Sequence, residues 1–132
     1  MTVIPETHHD LIASNQVVIL ATNAPDGRPQ VTAAWYIADG EGNVSISLNS
    51  ARQKVKNMRR DPKVTLFFID PANPYRTLEI RAVARIEPDP GYVTADAVGS
   101  KYGGTDLRTI DKPGDTRVTV TFDIEKVNTV GS

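Results

Sequence analysis

Apolar and polar positions along the chain fall mostly into short alternating runs. Residues 17–22, VVILAT, are a continuous run rich in β-branched side chains and read as a buried strand. Residues 30–38, QVTAAWYIA, read as a second strand with Val31, Ala33, Trp35 and Ile37 on one face, taken as the inward one. Residues 44–48, VSISL, alternate with Val44, Ile46 and Leu48 together. Residues 63–70 form a fourth run. Residues 76–88 alternate over a longer reach, with Leu78, Ile80, Ala82, Ala84 and Ile86 inward, and 116–127 close the series. NAPDGRP at 23–29 and DGEGN at 39–43 are turns, marked by Asp-Gly, Gly and Pro. Helical patterns occupy 4–14, 51–60 and 89–104, the last ending at Gly103 and Gly104. Strands joined by such short connections pair antiparallel, and closure removes exposed edges. The expected fold is therefore mainly β: a six-stranded antiparallel barrel with short helices, one domain over residues 1–132.

Composition narrows the chemistry. The chain has 132 residues, 39% hydrophobic and 23% charged, enough for one core. Its formal net charge is −1, so bulk charge does not recruit nucleic acid and any anion site must be local. With no cysteine there is no disulfide, thiolate metal site or Cys nucleophile. His8 and His9 are adjacent and cannot share a helix face, so a solvated segment is expected there and no metal site. No basic leader followed by an apolar run is present, and no apolar run approaches a membrane span; a cytoplasmic protein is expected.

One stretch concentrates charge. In NSARQKVKNMRRDP, residues 49–62, five of fourteen residues are Arg or Lys. Ser50 with Gln53 three residues on suggests a capping box, which starts the helix at Ala51. Pro62 stops it near Arg60. Ala51, Val55 and Met58 form the expected buried stripe. Arg59 and Arg60 suit the negative end of the helix dipole, whereas Arg52 and Lys54 lie at the positive end. Two readings stand: a solvated basic helix, or a site where N–H groups, dipole and two cations converge on one phosphate, with Asn49 and Ser50 within reach.

The segments ILATNAPDGRPQVTAAWY (19–36), SARQKVKNMRRDPKVTL (50–66) and DPANPYRTLEIRAVARI (70–86) resemble the pyridoxamine 5'-phosphate oxidase-like split β-barrel proteins. Within them the similarity is to the branch that uses the deazaflavin coenzyme F420. The resemblance implies an FMN-binding-protein-like split barrel and a homodimer with cofactor sites at the subunit interface. It implies that Arg52, Gln53 and Lys54, with the turn at Asn49 and Ser50, hold the cofactor phosphate. It implies that Gln30, Val31, Thr32 and Ala33, with Ser47, Leu48 and Asn49, line the ring system. Trp35, Asn73, Tyr75 and Arg76 would reach in from the partner subunit. The Arg-x-Lys spacing of Arg52 and Lys54 is like the deazaflavin branch, whereas FMN-type oxidases present an adjacent Arg-Lys pair.

Such a cofactor carries its own redox chemistry, so the lack of a catalytic triad or carboxylate pair is no argument against an enzyme. The expected function is an oxidoreductase passing a hydride from reduced F420 to a small unsaturated or conjugated compound. An FMN enzyme and a non-catalytic cofactor carrier are the alternatives. No catalytic residue is assigned. Tyr75, Tyr102 and Lys101 are proton-donor candidates by type alone, and each has a structural reading beside it: packing or interface for Tyr75, a helix end for the other two. The loop at 103–115 is expected to shape the substrate pocket.

Overall fold

The computed structural model describes residues 3–14 and 17–132. In chain order the elements are α1 (His9–Ser14), β1 (Val18–Asn23), β2 (Pro29–Ala34), β3 (Ile37–Ala38), β4 (Val44–Asn49), α2 (Gln53–Arg60), β5 (Lys63–Asp70), β6 (Asn73–Pro88), α3 (Val93–Lys101) and β7 (Arg117–Val130). The strands form one antiparallel sheet in the order β2-β1-β5-β6-β7-β4-β3. No helix among the described residues is long and apolar enough to cross a membrane.

The sheet order dictates the shape. β2 and β3 occupy opposite edges, yet only Trp35 and Tyr36 separate them in the chain. Flat, a seven-stranded sheet would hold its edges roughly 29 Å apart, while the step from Ala34 to Ile37 reaches at most about 11 Å. The sheet therefore curls until its edges meet, which makes the split barrel. The sequence pattern joins β2 and β3 into one strand; the structure divides them at this seam, giving seven strands in place of six.

The seam also reverses an expected face. Ala34 and Tyr36 point inward and are buried, whereas Val31 (60% exposed) and Trp35 (37%) point out. Pairing of β2 with β1 sets this register, placing Ala34 opposite the buried Val18. Tyr36 tolerates burial because its hydroxyl donates to the Ile12 carbonyl and its ring meets Phe68 edge-on at 5.5 Å.

Two clusters of apolar side chains result. The larger fills the barrel with Leu20, Ile46, Leu66, Phe68, Ile80 and Val120, among others, and takes Val55 and Met58 from α2. The smaller lies outside it, where Ala95 and Val98 of α3 meet Leu107. α3 is capped by the buried Asp89, whose carboxylate accepts from Val93 N at 2.9 Å and Ala95 N at 3.0 Å. His8 is buried, contrary to the solvated segment expected: its Nε2 donates to the Val130 carbonyl at 3.2 Å and its Nδ1 accepts from the Thr7 hydroxyl at 2.9 Å. The ring thus joins the two ends of the chain.

Gly99 is buried where α3 meets the following loop. Thr105 N donates to its carbonyl at 3.0 Å, and a Cβ at this position would collide with the Thr105 carbonyl oxygen. Gly99→Ala is predicted to lower stability by about 2–3 kcal/mol, measured by urea unfolding; an unchanged midpoint would contradict this packing.

Candidate functional site

A cleft of about 520 Å³ opens between the two clusters. One wall comes from the outward edge of β2 and the end of β4, with Ala33, Trp35, Ser47 and Leu48. The start of α2 forms a second, with Arg52 and Lys54. α3 and the loop at 103–115 close the third, with Val98, Leu107, Ile110, Asp111 and Asp115. A larger hollow of about 660 Å³ lies beside residues 3–6, but its walls carry no buried charge among the described residues.

The start of α2 differs from the capping-box expectation. Ser50 is drawn instead to Thr116, the residue before β7: its N–H and its hydroxyl each donate to the Thr116 carbonyl at 2.9 Å, and the hydroxyl also meets the Thr116 hydroxyl. Asn49 makes the turn, its Oδ1 accepting from Ala51 N at 2.9 Å and its carbonyl from Arg52 N at 3.1 Å. The helix begins two residues later than expected, at Gln53, with Arg52 in the N-cap position and no side-chain cap. Ala51 is exposed rather than part of the buried stripe. The first N–H groups of α2 thus lack the side-chain oxygen that usually meets them.

Lys54 sits in the first turn at 4% exposure. Its ammonium has no ion pair or hydrogen bond among the described residues, while Val55 and Asn57 pack on the same buried face. Burial, and then the positive charge of Arg52, push its pKa below the usual lysine value. A buried cation at the positive end of a helix is unfavourable alone and becomes favourable when an anion arrives. This charge, the uncapped helix and the apolar walls fit a phosphate carried on a flat, largely apolar group.

The other predicted residues are placed as follows. Ala33, Trp35, Ser47, Leu48 and Asn49 line the cleft with Arg52 and Lys54. Gln30 and Gln53 meet behind it through the buried Asn57, which donates to Gln30 Oε1 at 3.0 Å and to Thr22 Oγ1 at 3.1 Å, and accepts from Gln53 Nε2 at 2.9 Å. Thr32 is half-buried, and its hydroxyl has no partner among the described residues. Val31 lies on the outer face. Asn73, Tyr75 and Arg76 are away from the cleft of their own chain. The Asn73 side chain accepts from Tyr75 N at 3.1 Å, Tyr75 is 81% exposed, and Arg76 bonds Asp10 and Asp70.

Two proton-donor candidates are engaged elsewhere. The Tyr102 hydroxyl accepts from Tyr36 N at 3.1 Å and donates to Tyr36 O at 3.2 Å, and Lys101 Nζ donates to the same carbonyl at 2.9 Å. Burial pushes the Tyr102 hydroxyl up and the Lys101 ammonium down. Tyr102 also stacks on Trp35, with ring centroids 4.4 Å apart and planes 2° from parallel.

Sequence reasoning missed Arg117, Asp111 and Asp115. Arg117 and Asp111 form a bidentate pair at 2.8 and 3.1 Å, with side chains 7% and 5% exposed. The Arg117 guanidinium, with help from Tyr92 and Asn49, holds the Asp111 carboxyl at about 2 against the opposing effect of burial. The only signal in sequence was the placing of a charged residue at the start of a strand, which is common on solvated edges too.

A family model described as pyridoxamine 5'-phosphate oxidase matches residues 4–131. A solved structure described as an F420 reductase superposes with a TM-score of 0.80 at 34% identity, covering 95% of this chain and 98% of that one. A conserved hypothetical protein from Mycobacterium tuberculosis gives 0.77 at 28% identity, covering 97% and 85%. A pyridoxinephosphate oxidase family protein from Clostridium acetobutylicum gives 0.70 at 22% identity, covering 96% and 89%, which speaks to fold alone.

Lys54→Met keeps the apolar stem and removes the charge at the cleft wall. It is predicted to stabilise the ligand-free protein by about 1 kcal/mol, read as a higher urea midpoint; a clear loss of stability would mean that the ammonium has a favourable partner within the chain.

Proposed function

The chain belongs to the pyridoxamine 5'-phosphate oxidase family, and on that premise we propose that it is an F420-dependent oxidoreductase acting on a small unsaturated or conjugated compound. The observation that carries this reading is Lys54: a largely buried side chain whose ammonium has no partner among the described residues, in the first turn of an uncapped helix, opening on a cleft with apolar walls. The 34% identity to a protein described as an F420 reductase, and the Arg-x-Lys spacing of Arg52 and Lys54, favour the deazaflavin over FMN.

In this proposal Lys54 and Arg52 hold the cofactor phosphate against the N–H groups of α2. With Gln30 backing this wall through its bond to Asn57, Ala33 and Ser47 to Asn49 border the ring system. Asn49 does so through its main chain, because its side chain is engaged with Ala51, Asp111 and Asp115. Trp35, Val98 and Leu107 exclude water from the reacting face. When bound, reduced F420 supplies a hydride to a polarised double bond. Tyr102 and Lys101 hold the Tyr36 peptide, which leaves the proton to water or another side chain.

The same reading makes the protein a homodimer. Val31 and Ile69 are exposed on the outer faces of β2 and β5, on either side of β1, with Trp35 near by; a second copy covers this surface and brings Asn73, Tyr75 and Arg76 towards the cleft. The prediction is a dimer in sedimentation equilibrium, and a monomer at every concentration would overturn the shared site.

Cofactor choice is read from absorbance and fluorescence titrations with F420 and with FMN. Tight F420 binding followed by turnover of an enone or quinone supports the proposal; FMN binding with no F420 binding replaces it with a flavin enzyme, and F420 binding without turnover points to a carrier. Lys54→Ala or Arg52→Ala should weaken cofactor binding by about 1.5–3 kcal/mol; unchanged affinity in both removes the phosphate site.

A further inference from the structure

Asp111 and Arg117 form the one ion pair, among the described residues, with both side chains under a tenth exposed. The pair joins distant parts of the chain. Arg117 opens β7 and also donates to Ser47 Oγ on β4 at 3.2 Å. Asp111 lies in the loop that forms the third wall of the cleft, and accepts as well from the Tyr92 hydroxyl at 2.7 Å. Tyr92 is the only non-glycine residue with positive φ among those described, at 55°. Such backbone persists only where its surroundings fix it.

Asn49 extends this network to the start of α2. Its Nδ2 donates to Asp111 Oδ1 at 3.1 Å and to Asp115 Oδ2 at 2.9 Å, while its Oδ1 accepts from Ala51 N. Asp115 Oδ2 also accepts from Lys112 N at 2.8 Å, which pins the end of the loop. One amide side chain therefore bonds two loop carboxylates on one side and the turn that presents Arg52 and Lys54 on the other.

We propose that Asp111, Arg117 and Asn49 are positioning residues for the anion site. The buried pair fixes the loop as a wall of the cleft, and Asn49 transmits that placement to the turn at residues 49–52, so the loop and the cations of α2 keep one geometry. The inference rests on the cleft being the site of a phosphate-bearing cofactor. None of the three side chains is assigned a contact with the cofactor.

Positioning and simple electrostatics predict opposite signs. Asp111→Asn removes a negative charge from the cleft and leaves the Arg117 cation without its counter-charge. If charge alone mattered, an anionic cofactor would bind more tightly. If positioning matters, it binds more weakly, by about tenfold.

The test uses the full chain in two arms. Without ligand, hydrogen–deuterium exchange of Asp111→Asn should rise in both residues 107–115 and residues 49–55. A rise confined to the loop overturns the coupling. With ligand, the Kd for F420 and for FMN should increase for whichever of them the unaltered protein binds, and an unchanged or smaller Kd overturns the positioning role. Asn49→Ala leaves the Asp111–Arg117 pair in place and decides the same points if Asp111→Asn does not fold: exchange rises at 49–55 and Kd increases, or the proposal fails. Lys54→Ala separates the two readings. Unchanged affinity there removes the phosphate site itself, while the ligand-free exchange still decides the coupling.

Discussion

The two-residue connection through Trp35 and Tyr36 is the constraint on which the rest of the molecule depends. It joins strands at opposite edges of one sheet, so the sheet must close on itself. Closure has a local cost, because the chain leaves the ladder at the seam and its peptide groups need other partners. The end of α3 supplies them: Tyr102 meets both the N–H and the carbonyl of Tyr36, and Lys101 meets the carbonyl and lies 3.6 Å from the centre of the Tyr36 ring. α3 is thereby held against the barrel by polar contacts at the same place where the barrel closes.

From this follows the division that makes a cleft. α3 and the turn at Leu107–Thr109 pack on each other as a small apolar cluster, separate from the filling of the barrel. Between the two lies a space bounded by strand edges, a helix start and a loop. The edge of β2 turns Trp35 outward at this border, where it stacks on Tyr102 and leaves part of its ring exposed. A residue that pattern alone would bury in the barrel becomes a wall of the site.

Charge in the cleft is unevenly satisfied. Arg117 is fully paired with Asp111 and helps to hold the architecture. Lys54, more buried by residue, has no carboxylate to meet it among the described residues. Unpaired buried charge opposes folding, and its retention at a helix start is understandable where a ligand supplies the missing anion. The capping oxygen that could have quieted this helix end, that of Ser50, is engaged by Thr116 just before β7, so the N–H groups and the ammonium share one unmet demand.

Much was legible in the chain itself. Alternation of apolar residues over 44–48, 63–70 and 76–88 identified three strands within a few residues, because period-two burial is a local property of a pleated ribbon. Turns at Asp26-Gly27 and around Gly42 were readable from the left-handed backbone they require. The cations of the site, Arg52 and Lys54, stood out by position along a helix, a one-dimensional relation, and the family motifs around them carried the same residues. What tertiary structure decided were relations between segments remote in sequence. The inward face of β2 depends on its register with β1. The helix start depends on competition for Ser50 by Thr116, 66 residues away. The pairing of Arg117 with Asp111, and the bridge through Asn49, depend on closing the sheet and laying a loop across it. Hydrophobic period and turn chemistry act over neighbours in the chain and so are written in order; the choice of partner for a polar side chain is made by whatever the closed fold brings within three ångströms.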